Sequence, residues 1–277
     1  MDIKIYMCCH REYDILPPLC IPMQGGAALN PAVKGTLPDS TGDSISPKNR
    51  EYCELTVMYH AWKNDTADYF GLCHYRRFFC FKERTRKPYL AKGSLTQGAQ
   101  RRLLSTAERL KEIIPMHDVV VPRAEDMGVS VREHYASSPH HFAEDLELFY
   151  DILCEKYPHM KSAADEYLSQ SRQYFCNMFI MKRGLFCEYC SMLFSVLDEF
   201  DRRKTLHGDF QSDRTDGYLG ERFVGIYLTY LKSCGADLYE ISRLDTHCPP
   251  AKQLLYHLLP PESKRRLALK RLMKKTG

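Results

Sequence analysis

The run Asp68-Tyr69-Phe70-Gly71-Leu72-Cys73-His74-Tyr75-Arg76-Arg77-Phe78-Phe79 constrains this chain most. It opens apolar and aromatic over a strand's length, the pattern of a buried strand. It then reaches His74-Tyr75-Arg76-Arg77, polar and cationic groups that a buried strand cannot easily hide. A strand that leaves the core and at once presents an imidazole, a phenol and two guanidiniums is a common way to build a ligand site. In open α/β sheets such sites lie beyond the carboxyl ends of the strands. Two adjacent arginines suit a multiply charged anion such as a diphosphate, which each can grip bidentately. The alternative is that Arg76 and Arg77 are solvated residues after an ordinary strand, and this stretch alone leaves both readings open.

The rest of the chain can support such a sheet. Its 277 residues are enough for one large α/β domain or two smaller ones, and 44% hydrophobic with 27% charged residues reads as globular. No apolar run approaches the roughly 20 residues needed to cross a bilayer. The N-terminus lacks the layout of a signal peptide and looks like a first strand. Twelve cysteines are scattered, several inside apolar runs, so reduced core thiols in the cytosol are the expectation. Cys187-Glu188-Tyr189-Cys190 has no second pair or histidine nearby for zinc, and it sits in a helical stretch where both thiols can be core.

The formal net charge of +4 is uneven. Residues 262–277 hold seven Lys or Arg and one acid, which leaves the body at −2. A whole-chain argument for nucleic acid therefore fails. The tail, with Leu269, Leu272 and Met273 on one face, resembles an interfacial amphipathic helix on anionic lipid, or is a solvated, frayed end.

In order, Ile3–Cys9 is the expected first strand, with His10 at its carboxyl end, and Cys20–Gln24 a short second one. Gly25-Gly26 then permits unusual backbone angles or close approach of a ligand. Residues 36–50 form a polar loop ahead of a helix over Glu51–Asn64, whose N-terminal dipole suits an anion. Lys82–Arg102 is basic and irregular, an excursion or lid. A helix over Leu103–Ile114 leads to a short strand at Asp118–Pro122. The His134, Tyr135, His140, His141 group has metal-like composition without metal-like spacing, and reads as a mobile or acceptor-facing segment. A helix over 143–169, a strand over Tyr174–Met181, a helix over Leu185–Phe200, a second over Phe223–Leu231 and a last strand over Ala236–Ile241 complete the chain.

The segments Gly42–Asn49, Tyr52-Cys53-Glu54-Leu55-Thr56, Gly71–Phe79, Asn177–Arg183 and Gly217–Arg222 together resemble a domain family from bacterial capsular and exopolysaccharide clusters. Its members are usually described as glycosyltransferases. The resemblance runs from Ile3 to about Tyr239. It implies a GT-A-like, single Rossmann-like α/β domain over residues 1–248, with a mixed, mostly parallel sheet flanked by helices and a helical tail over 249–277. It also implies transfer of a sugar, for instance a hexose such as galactose, from a nucleotide-sugar donor, with UDP the expected nucleotide. The acceptor would be lipid-linked or a growing polysaccharide. GT-A enzymes commonly end the central strand in Asp-x-Asp, which holds a divalent metal; here His74-Tyr75-Arg76 stands in that place. Two cations in place of a metal would neutralise the departing diphosphate, so no cofactor is favoured, with manganese or magnesium on His74 as the alternative.

On that resemblance the base and ribose lie near His10, Gln24 and Gly25, and the diphosphate meets Arg76 and Arg77 beside His74 and Tyr75. The sugar meets Asp43, Asn49 and Glu54, and the acceptor enters beside Asn177 and Met178. Inverting transfer is favoured over retaining and needs one carboxylate as general base, Glu221 first and Asp216 second. The bland reading of Glu221 is an ion pair with Arg222 or Arg214. A non-catalytic nucleotide-sugar or glycan-binding module on the same fold is the alternative. The expected location is the cytoplasm, at most peripheral on the inner face of the plasma membrane.

Overall fold

The computed structural model describes residues 1–81, 89–91, 96–208, 212–259, 263 and 265–266. Of the irregular excursion or lid expected over Lys82–Arg102, residues 82–88 and 92–95 lie outside the described residues, while Tyr89–Ala91 is a strand and the helix expected from Leu103 already starts at Gln97; the basic tail lies largely outside the described residues. The strands are β1 (Ile3–Cys9), β2 (Cys20–Gln24), β3 (Leu37–Pro38), β4 (Tyr69–His74), β5 (Arg77–Cys80), β6 (Tyr89–Ala91), β7 (Val119–Pro122), β8 (Glu125–Asp126), β9 (Arg172–Gln173), β10 (Phe179–Lys182) and β11 (Leu238–Asp245). The helices are α1 (Asn49–Tyr52), α2 (Leu55–Asn64), α3 (Gln97–Ile113), α4 (Val131–Ala136), α5 (Ala143–Lys156), α6 (Lys161–Ser169), α7 (Arg183–Arg203), α8 (Thr215–Ser233) and α9 (Pro250–Leu258).

The apolar strands are buried on both faces, because period-two alternation sends neighbours to opposite layers. Ile5, Met7, Val120 and Ile180 pack with α3 on one side. Tyr6, Phe70, Leu72, Val119, Val121 and Phe179 pack on the other against α2, α5, α6, α7 and α8. The result is three layers, helix–sheet–helix.

One half of the sheet is parallel, in the order β3-β2-β1-β4. The other half is mixed: β10 runs antiparallel to both β4 and β7, and β11 is parallel to β7 and antiparallel to β5. From β1 the chain steps outward to β2 and β3 and returns through α1 and α2 to β4 on β1's other side. That reversal opens a crevice beyond the carboxyl ends of β1 and β4.

Several elements differ from the sequence reading. The helix expected over Glu51–Asn64 is broken at Cys53, which takes φ 52° and ψ −128°. Asn49 Nδ2 fixes the break by donating to Cys53 O at 2.6 Å and Thr56 Oγ1 at 2.8 Å. The helix over 143–169 is two helices parted at Pro158, as a proline that lacks the amide donor requires. The strand over Tyr174–Met181 shrinks to β10, because Cys176 and Asn177 both adopt positive φ (76° and 46°). Thr215 starts α8, so Asp216 and Glu221, which precede the helix expected over Phe223–Leu231, are helical. Among the described residues no helix is long and apolar enough to cross a membrane.

Candidate active site

Three parallel strands end at one cleft of about 660 Å³. Cys8, Cys9 and His10 line it from β1, Gln24 and Gly25 from β2, and His74, Tyr75, Arg76 and Arg77 from β4. Asn49, Arg50, Cys53 and Glu54 enter from the broken helix, Phe175 and Cys176 from the turn before β10, Arg214 from the residue capping the start of α8, and Tyr218, Glu221 and Arg222 from α8 itself.

The β2 end is a shaped turn. Asp39, fully buried, accepts from Gly26 N at 2.9 Å and Ala27 N at 3.0 Å. Gly26 has φ +70°, and a Cβ there would stand 2.6 Å from Asn49 Oδ1. Only glycine fits both the angle and the approach. Gln24 lines the cleft, but its amide is committed: Nε2 donates to Pro31 O and Oε1 accepts from Val33 N, each at 2.8 Å.

Cations dominate the middle. Arg76 has no carboxylate partner among the described residues; its guanidinium lies 5.6 Å from the Tyr75 ring centroid. Tyr75 is nearly buried and its hydroxyl accepts from Arg11 at 2.9 and 2.7 Å, so it supports the site from behind. Arg77 is 3.7 Å from Asp245, and Arg214 Nε donates to Cys53 Sγ at 3.2 Å. His10 packs edge-on to Tyr75 at 4.9 Å. Burial, then Arg11, Arg76 and Arg214, lower its pKa and favour the neutral ring. A partly exposed neutral ring beside unneutralised guanidiniums suits an aromatic base carrying phosphates.

Two carboxylates face this cationic floor in different environments. Glu54 accepts from Asn177 Nδ2 at 2.8 Å and lies 3.9 Å from His74 Nε2. Burial raises its pKa, and the Asn177 bond only partly offsets that. Glu221 accepts from Cys176 N at 2.5 Å and Arg222 Nη1 at 2.7 Å. Burial pushes it up, but Arg222, the Cys176 amide and Arg77 outweigh burial and hold it below the usual carboxylate range. His74 Nε2 donates to Cys176 O at 2.9 Å. Burial, with Arg77, drops its pKa to about 3, so the ring stays neutral. The turn at Cys176 and Asn177 thus ties His74, Glu54 and Glu221 together, and two consecutive left-handed residues are strain of the kind that gathers at functional sites.

The structure does not bring every expected residue to the cleft. Asp43 faces the far end of α2, where it accepts from Tyr59 at 3.1 Å and binds Asn64 through its backbone. Asp216 is fully buried against Lys204 at 2.7 Å, outside the cleft, which removes it as the second candidate base. Asn177 is buried one layer behind Glu54, and Met178 packs in the core under the sheet. Neither lines the cleft, because the turn before β10 faces them inward. Tyr218 lines the cleft and escaped the sequence reading; Arg214 and Arg222, expected only as ion-pair partners of Glu221, line it too, as do His134 and His141 of the segment expected to be mobile or acceptor-facing. The signal for Arg214 and Tyr218 was their seven- and three-residue distance from Glu221, which becomes one helical face once α8 is drawn back to Thr215.

Among the described residues the cleft holds no cluster of three metal-ligating side chains. His74 Nε2 donates to a carbonyl, and both cleft carboxylates are hydrogen-bonded and flanked by arginines. The described group with metal-ligand spacing is Glu51, Asp201 and Asp216. It is closed over Lys204 Nζ, at 2.6, 2.6 and 2.7 Å.

Fold and cleft define a mixed α/β protein with an arginine-lined crevice at its strand switch point. The chain belongs to the family described as a domain of unknown function (DUF4422), whose model matches residues 4–232. It is similar in structure to the WbbM bifunctional glycosyltransferase in its apo form, with a TM-score of 0.81 and 26% identity over 90% of this chain. The match covers 46% of that chain, so this chain spans about half its length. No curated protein matches. The protein is a glycosyltransferase-like domain of a family without an assigned function.

Proposed function

We propose that the domain is a GT-A-like glycosyltransferase that moves a sugar from a nucleoside diphosphate onto an acceptor hydroxyl. The observation that carries this reading is the cleft: Arg76 and Arg214, with no carboxylate partner among the described residues, sit at the strand switch point beside two carboxylates whose pKa values are driven apart. Such a pair separates acid–base work from electrostatic work. UDP is the proposed nucleotide, with its base near His10 and the Gly25 turn and its diphosphate on Arg76, Arg77 and Arg214. A hexose such as galactose fits the family resemblance.

Glu54, not Glu221, is the better general base. Its raised pKa lies nearer the working pH, and the ideal base is matched to that pH. Glu221 is more acidic and engaged by Arg222 and Cys176, so it suits holding the strained turn and adding negative charge near the reacting carbon. In the inverting step the acceptor oxygen attacks the anomeric carbon and its proton passes to Glu54. The bond to the diphosphate breaks, and the electron pair stays on the departing nucleoside diphosphate, neutralised by the arginines. Metal independence is part of the proposal, resting on the absence of an oxygen set in the described cleft. Attachment at an anionic membrane surface, reaching a lipid-linked acceptor, is proposed from the exposed leucines of α9 and the basic sequence after it.

The deciding experiment is a thermal-shift screen against UDP, GDP and CMP with manganese or with EDTA. A ligand bound only by the folded state raises the melting point by mass action, about 2.7 kcal/mol at a hundredfold excess over Kd. UDP should raise it equally in EDTA. A shift that needs manganese would overturn metal independence, and no shift with any nucleotide would end the donor-site reading.

A further inference from the structure

The cleft changes character along its length. β2, β1, β4 and β10 lie side by side in the sheet. β10 is antiparallel, so the residues leading into it share an end with the carboxyl termini of the other three. The cleft therefore runs from the Gly25 turn, past His10, past Arg76 and Glu54, to Phe175. At that last end the cations give way to rings: His134, His141, Phe175 and Tyr218 line it, all half-exposed. The Tyr218 ring stacks on His141 at 4.0 Å and 23°. His141 meets the buried Tyr135 edge-on at 4.7 Å, and His134 meets Phe175 edge-on at 6.1 Å.

We propose that this aromatic end is the acceptor subsite and takes a neutral saccharide. The idea rests on the donor reading above, because it assigns the half of the cleft that the nucleotide leaves over. A pyranose offers an apolar C–H face bordered by hydroxyls, and half-exposed rings flanked by polar atoms are complementary to it. His141 supplies the polar half. Its Nδ1–H donates to Pro139 O at 2.8 Å, which leaves Nε2 as an acceptor. Burial lowers the pKa of His141, so the ring stays neutral and keeps that lone pair. Of the cations near these rings, Arg222 is 2% exposed and turned into Glu221, and Arg214, 5.9 Å from the Tyr218 centroid, donates to Cys53 Sγ. Glu54 and Glu221 lie between the two ends, where a hydroxyl from the aromatic side would meet the sugar carbon from the cationic side.

The test is saturation-transfer NMR on the whole protein with the methyl glycosides of glucose, galactose and mannose, with and without UDP. The variants are Tyr218→Leu and His141→Phe, the second keeping the stack while removing the acceptor nitrogen. At least one glycoside should be saturated by the native protein, and that signal should fall at least fivefold in each variant while UDP saturation persists. Undiminished glycoside signal in His141→Phe overturns the subsite, as does saturation of UDP with no glycoside. If Tyr218→Leu loses UDP as well, its fold has failed and His141→Phe decides. Glycoside binding without UDP binding would keep the subsite and sink the donor reading instead.

Discussion

Glu54 and Glu221 show how neighbouring carboxylates acquire different chemistry from what buries and touches them. If Glu54 is the base, Glu54→Gln removes about 10²–10⁴-fold of turnover while UDP binding survives. Retained turnover would reject the assignment. The pH profile offers an independent check. A base works when deprotonated, and the pKa of Glu54 is raised, so the rate should climb with pH through a limb above the ordinary carboxylate range. Asn177 stabilises the charged form, so Asn177→Ala should move that limb to higher pH while preserving the maximal rate better than Glu54→Gln does. A limb that stays in place would leave Asn177 a purely structural residue. At this scale the sequence disclosed His10, Gly25, Glu54, the His74–Arg77 run and Glu221, because they sit at ends of apolar runs or in a recognisable segment. It hid Asn177's true partner, which depends on two left-handed residues that no periodicity encodes. It misplaced Asp43 and Asp216, since an acid's side of a loop or helix is fixed only by packing.

Elements were readable where an apolar pattern is long, as in β1, β4, α7 and α8, and misread where one residue interrupts it. Cys53 breaks a helix that its neighbours favour, because Asn49 bonds the kinked carbonyl and Gly217 of α8 packs against the Cys53 side chain; a Cβ on Gly217 would stand 3.0 Å from its sulfur. The same corner joins α1, α7 and α8 through Lys204, which is 7% exposed and ion-paired with Glu51, Asp201 and Asp216. Removing one member of a buried ion network leaves the others uncompensated, at about 3–5 kcal/mol. Lys204→Met should therefore destabilise the fold by about that amount in urea denaturation near pH 7.5. Burial already pushes Asp216 up to about 7 beside the lysine, and loss of the ammonium raises it further. A carboxyl with a raised folded pKa favours the folded state below its unfolded pKa, and that support disappears as pH rises through the folded value. The variant's deficit should accordingly be smallest near pH 5 and largest near pH 8. A deficit independent of pH would mean that Lys204 matters only through packing of its stem.

At the scale of the whole molecule, the sheet order explains why one open cleft collects residues from so many parts of the chain: every parallel strand of the β3-β2-β1-β4 half ends at the same edge. A lipid-linked acceptor, as proposed above, would require the domain to reach a membrane surface. Helix α9 leaves Leu254, Leu255 and Leu258 60%, 43% and 66% exposed, a stripe at helical spacing. The sequence that follows holds seven cations within sixteen residues. Cations contribute about 1 kcal/mol each near an anionic leaflet, and fully burying a leucine contributes about 1.5–3 kcal/mol. Both terms together exceed what either offers alone, so binding should need lipid of the right charge and the exposed leucines. The protein should co-sediment with phosphatidylglycerol vesicles, and this should weaken steeply between 50 and 500 mM salt as surface charges are screened. Neutral phosphatidylcholine vesicles should retain little of it. Leu254→Ser with Leu258→Ser should lower the partition coefficient by about tenfold or more without changing the UDP-induced thermal shift. Equal partition onto neutral and anionic vesicles, or an unchanged coefficient in the double variant, would place the domain away from the bilayer and make a water-soluble glycan the acceptor to seek.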